Sequence, residues 1–171
     1  RKGMDYFVEA VARMAEEHPE MKEHTGIAIL GGHAEELEGR LALPVFPIGY
    51  VSDQQRIRGV YNAADVVVLP SLEDNLPNTI MEAMACGVPC VGFRVGGIPE
   101  MIDHRRNGYV AAERDARDLA EGIRWVLDEA DYAALSEAAV AKVLHSYSQR
   151  SVAMQYLEVY NEAMAYKNFS L

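Results

Sequence analysis

The chain has 171 residues, of which 50% are hydrophobic and 25% charged, and a formal net charge of −10. That size and balance suit one globular domain with a real core. They disfavour a nucleic-acid surface or an anionic-membrane anchor, both of which need clustered Lys and Arg, and no apolar run approaches the ~20 residues of a membrane span.

Met4 to Glu17 carries Phe7, Ala10, Val11 and Met14 on one face, the spacing of an amphipathic helix. Ile27 to Leu30 is a short apolar run closed by Gly31-Gly32 and reads as a buried strand. Val45 to Gly49 is β-prone but holds Pro47, which lacks a ladder donor, so it is expected at an edge. Asp53 to Asn62 reads as a helix capped by Ser52 or Asp53. Asp65 to Pro70 is the strongest strand signal, apolar as expected when both sheet faces are covered. A helix near Pro77 to Cys86 follows, stopped by Gly87; Val88 to Phe93 is the next strand. Gly96-Gly97 turns into a brief helix at Ile98-Pro99-Glu100, and Asn107 to Val110 is a turn and strand. Three helices close the chain, marked by Leu119, Ile123, Val126 and Leu127, by Leu135, Ala139 and Val143, and by Val152, Tyr156, Val159 and Ala163. The last is expected to lie against something outside this domain. Alternating strand and helix predicts the α/β class, a Rossmann-like doubly wound parallel sheet in a single domain over residues 1–171.

Ligands of such sheets bind beyond the carboxyl ends of the strands. The segment from Asp74 to Glu82 lies there, directly after the strand that ends at Leu69, with seven residues between its two acids. Pro77 suits the first helical position, which puts Leu76 at the cap and Asn78 and Thr79 in the first turn. The amides of Asn75, Leu76, Asn78 and Thr79 are candidate phosphate donors; Pro77 cannot donate. Acids for sugar hydroxyls beside amides for phosphate point to a nucleotide sugar. The competing reading is a capping box, in which Glu82 folds back on the backbone near Thr79 and Asp74 is a plain loop residue.

The motifs around this segment bear on the choice. Ala64-Asp65-Val66-Val67-Val68-Leu69-Pro70-Ser71, the acid pair, Glu82-Ala83-Met84-Ala85-Cys86-Gly87-Val88-Pro89, Val95-Gly96-Gly97-Ile98-Pro99-Glu100 and Asn107-Gly108-Tyr109-Val110 follow in order. Together they resemble glycosyltransferase family 4, in the C-terminal, donor-binding half of a GT-B enzyme. The resemblance implies transfer of a sugar from a nucleotide diphosphate, with retention of configuration and without metal or other cofactor. It implies a catalytic pair of Asp74 and Glu82, with Glu82 on the ribose hydroxyls and Asp74 on the transferred sugar. Lys2 would pair with the phosphates, Asn75 and Leu76 would cradle the diphosphate, and Val51 and Ser52 would hold the base. The family usually has Glu where Asp74 stands, and no role passes to Arg1. The resemblance also implies a leading strand and an N-terminal acceptor domain upstream of Arg1. It fits a cytoplasmic enzyme of surface polysaccharide synthesis acting on a glycan or lipid-linked acceptor, with peripheral membrane association through the absent domain.

Other candidates carry less. Cys86 and Cys90 read as small buried hydrophobes, and His18, His24, His33, His104 and His145 as surface residues without metal spacing. Tyr156, Tyr160 and Tyr166 read as packing groups. Two rivals share the nucleotide site: a nucleotide-sugar epimerase of GT-B architecture, and a non-catalytic nucleotide-binding module. A Rossmann dehydrogenase lacks its G-x-G-x-x-G turn here, and a P-loop enzyme lacks its Gly-Lys-Ser/Thr.

Overall fold

The apolar stripe Phe7, Ala10, Val11 and Met14 is buried on a helix, α1, with the expected bounds Met4–Glu17. The computed structural model describes the backbone of residues 2–32 and 34–168 and side chains through residue 165. The chain then runs through α2 (Met21–His24), β1 (Ile27–Leu30), α3 (Ala34–Glu38), β2 (Val45–Gly49) and α4 (Gln54–Asn62). It continues with β3 (Val67–Leu69), α5 (Asn78–Ala85), β4 (Cys90–Phe93), α6 (Ile98–Met101) and β5 (Gly108–Ala111). Last come α7 (Ala116–Arg124), which passes into a π-helical stretch Trp125–Glu129, then α8 (Tyr132–Ser146) and α9 (Gln149–Asn168). No described helix is long and apolar enough to cross a membrane.

Every strand pairing is parallel, as the α/β expectation requires. β1 pairs with β2, and β3, β4 and β5 form a second sheet in that order. Pro47 sits opposite Ile29 on β2, which has no second partner among the described strands, so the edge expectation holds. Central β4 shows why the sheet is covered twice. Successive strand residues point to opposite faces, yet Cys90, Val91, Gly92 and Phe93 are all buried. Phe93 meets the Tyr6 ring of α1 edge-on, centroids 5.8 Å apart. Cys90, on the other face, reaches the Ile80 carbonyl of α5. Helices α1 and α7 thus pack as one layer and α5 and α8 as the other. Phe93 is fully buried, and Phe93→Ala is expected to cost about 3–5 kcal/mol of stability, read as a lower urea midpoint.

Some expectations need correction. β1 and β3 are half-exposed rather than buried, because each bonds to a neighbour on one side only among the described strands. Short helices α2 and α3 were not anticipated. Cys86 is half-buried, whereas Cys90 is buried as expected. Tyr156 and Tyr160 do not pack: they are 62% and 63% exposed on α9, beside exposed Met154, Leu157, Val159 and Met164. The reason is geometric, since α9 touches α8 near its start and then leaves the core. His18, His24, His104 and His145 lie at or near the surface, while Arg1, His33 and the side chain of Tyr166 lie outside the described residues.

Candidate functional site

The acid loop forms where β3 ends. Pro70 and Ser71 are buried immediately beyond Leu69, and the Ser71 hydroxyl has no hydrogen-bond partner among the described residues. The loop then surfaces: Asp74 is half-buried, while Asn75 and Leu76 are exposed. Pro77 is the cap of α5 rather than its first helical residue, with an extended backbone (ψ 118°), so the helix begins at Asn78. Among the described residues, no side chain caps α5. Among the described residues, the amides of Asn75, Leu76, Asn78 and Thr79 donate to no protein group. Four N–H groups therefore stand open at a helix N-terminus, the arrangement that suits an anion.

This geometry decides against the capping box. Glu82 does not fold back on the first turn; its Oε2 accepts a hydrogen bond from the Tyr61 hydroxyl at 3.0 Å. The side chain is exposed on the helix face it shares with Asn78, four residues earlier.

Two glycine segments hold the loop. The Gly97 amide donates to the Asn75 carbonyl at 2.6 Å. A Cβ at Gly96 would overlap the Asp74 carbonyl oxygen, and one at Gly97 the Asn75 carbonyl oxygen. Gly96 is also left-handed, with φ 49°. The Gly96-Gly97 turn is thus a backbone clamp on the acids' loop. On the other side, Gly3, left-handed with φ 63°, rests against the Pro70 carbonyl, where a Cβ would also overlap. Lys2, exposed, and the N-terminus of α1 are thereby brought to the base of the same loop.

Val51 and Ser52 are placed differently. They follow Gly49 (φ 74°) at the carboxyl end of β2, half-buried and exposed respectively. They lead into α4, whose cap Asp53 accepts from the Arg56 amide at 2.8 Å. No hydrogen bond joins them to the acid loop among the described residues; the connection runs along α4 to Tyr61 and then to Glu82. Among the described residues no group of three or more His, Cys, Asp or Glu is placed to hold a metal ion. An open concavity of about 380 Å³ beside Arg105, Trp125 and Leu135 shares no residue with the acid loop.

Sequence reading missed Tyr61 and Ser71 as site neighbours. Ser71 carried a signal, a polar residue closing an apolar strand at its carboxyl end. Tyr61 carried none, since no spacing rule links positions on two different helices.

Comparison with known proteins bears on the family and the fold. The chain is similar to N-acetyl-alpha-D-glucosaminyl L-malate synthase of Bacillus anthracis, 31% identical over 116 residues, covering 67% of this chain and 30% of that protein. It is similar to the amylovoran biosynthesis glycosyltransferase AmsK of Erwinia amylovora, 37% identical over 113 residues, covering 62% of this chain and 28% of that protein. The chain thus spans less than a third of either relative's length. Its fold matches Anabaena HepE, solved in complex with UDP-glucose, with a TM-score of 0.75 at 22% identity over 94% of this chain and 45% of that one. The family described as Glycosyl transferases group 1 matches residues 1–129, and the chain belongs to that family.

Proposed function

We propose that this chain is the donor-binding part of a retaining glycosyltransferase of family 4, taking its sugar from a nucleotide diphosphate without a metal. The observation that carries the reading is Glu82, held by Tyr61 on the open side of α5 instead of capping it. In the proposed complex Glu82 accepts from the ribose hydroxyls and Val51 and Ser52 meet the base. The open amides of Asn75, Leu76, Asn78 and Thr79 receive the diphosphate, with Lys2 approaching from α1.

The chemistry follows from those positions. The bond from the anomeric carbon to the diphosphate oxygen breaks with its electron pair leaving on the diphosphate, and a bond to an acceptor hydroxyl oxygen forms on the same face as that hydroxyl's proton passes to the departing diphosphate. Negative charge grows on the leaving diphosphate, where aimed N–H groups and a cation stabilise it best. Positive charge grows on the sugar ring, which Asp74 orients through its hydroxyls. The similarity of HepE, solved with UDP-glucose, supports a nucleotide sugar, and that of AmsK, an amylovoran biosynthesis glycosyltransferase, supports the proposed role in polysaccharide synthesis. The acceptor, a glycan or lipid-linked hydroxyl, is proposed to bind outside this chain. The proposed setting is the cytoplasm, at the inner membrane face, and the isolated chain is proposed to bind donor without turnover.

The test is a melting-temperature panel of UDP, GDP and ADP and their hexose conjugates. A ligand at a hundred times its Kd stabilises by about 2.7 kcal/mol, roughly 5–10 °C for a domain of this size. Asp74→Ala is expected to keep the shift from the bare diphosphate and lose the increment added by the sugar. Equal shifts for wild type and variant with every sugar conjugate would sink the assignment of Asp74.

A further inference from the structure

Tyr61 sits in the last turn of α4 with its ring in the core, 5% exposed, while its hydroxyl emerges to donate to Glu82 Oε2 at 3.0 Å. Burial, followed by the Glu82 contact, pushes the phenol further above its ordinary range. The bond is asymmetric: it takes one carboxylate oxygen and leaves Oε1 open among the described residues. An unanchored surface glutamate samples several rotamers and loses that freedom on binding. A glutamate tethered to a buried ring has lost much of it beforehand, which is how preorganisation raises affinity.

We propose that Tyr61 is the positioning residue for ribose recognition, an inference that rests on the assignment of Glu82 to the ribose. Its hydroxyl fixes the Glu82 carboxylate so that Oε1 faces the vicinal 2′- and 3′-hydroxyls. The same bond ties α4, which begins just after Val51 and Ser52, to α5, which begins at the open amides.

The experiment compares UDP, GDP and ADP with their 2′,3′-dideoxy forms by calorimetric titration. The full chain is tested as wild type, Tyr61→Phe, Glu82→Ala and the double variant. Phenylalanine keeps the ring packing and removes only the hydroxyl. For the nucleotide that binds, wild type is expected to prefer the ribo form. Tyr61→Phe is expected to lose about tenfold in ribo affinity, the scale of one hydrogen bond to a charged group. Its dideoxy affinity should be unchanged, whereas a merely structural role for Tyr61 would weaken both. In the Glu82→Ala background, Tyr61→Phe should change neither. If wild type prefers the ribo form and Tyr61→Phe keeps the full preference, or weakens ribo and dideoxy alike, the positioning role is overturned and the site reading stands. If wild type binds none of the nucleotides or does not discriminate, the assignment of Glu82 itself fails, and the role of Tyr61 falls with it.

Discussion

Glu82→Ala is expected to weaken nucleoside diphosphate binding by about a hundredfold. Two vicinal ribose hydroxyls donating to a carboxylate each contribute about 1.5 kcal/mol, and every 1.4 kcal/mol is tenfold in Kd. The cost to the free protein is smaller. Tyr61 loses its acceptor, and its hydroxyl lies at the edge of the core, so about 1 kcal/mol of stability should go. Titration calorimetry and urea unfolding measure the two effects separately. The capping-box reading makes the opposite forecast, a weakened helix with intact binding. The structure disfavours it because α5 has no side-chain cap to lose. An affinity within about twofold of wild type would remove Glu82 from the site.

This contrast shows what a sequence can carry. The period of the apolar positions placed α1 correctly, and a continuous apolar run found β4, because both signals are local. α2 and α3, with 4 and 5 residues, are too short to show a period. The run ending at Leu69 looked covered on both sides, but burial depends on how many neighbours a strand has, which its own residues do not encode. Pro77 was placed one residue too deep in α5, since its fixed φ serves a cap as well as a first turn. In the candidate site, the acids and the open amides were legible because they share one segment. The bond from Tyr61 to Glu82 and the packing of Gly96 on Asp74 were not, because each joins residues about twenty positions apart. The capping question was undecidable from spacing alone, since Thr79 and Glu82 satisfy the pattern whichever way the carboxylate turns. α9 shows the converse limit: its stripe predicts a contact, yet Tyr156 and Tyr160 find none in the described fold.

Gly96→Ala and Gly97→Ala are expected to damage donor binding without touching a ligand-contacting side chain. At Gly96 the new methyl meets the Asp74 carbonyl, and at Gly97 the Asn75 carbonyl. Both obstacles are backbone, so neither can swing aside as a flexible side chain would. Gly96 adds a left-handed φ of 49°, which costs a residue with Cβ about 1 kcal/mol or more. Overpacking of this kind costs roughly 1–3 kcal/mol, so Gly96→Ala should lose about 3 kcal/mol and Gly97→Ala somewhat less. The chain can relieve either clash by pushing the acid loop outward, which also stretches the 2.6 Å bond from the Gly97 amide to the Asn75 carbonyl. Displacement by about 1 Å moves Asp74 and the amides of Asn75 and Leu76 off the geometry a diphosphate sugar needs. Gly32→Ala is the control, since a methyl there meets nothing within 4 Å among the described residues. Urea unfolding and donor titration on the three variants separate the effects. Gly96→Ala and Gly97→Ala should lose donor affinity even at temperatures where they are fully folded, and Gly32→Ala should lose none. Wild-type donor affinity in folded Gly96→Ala would show that the turn does not hold the acid loop.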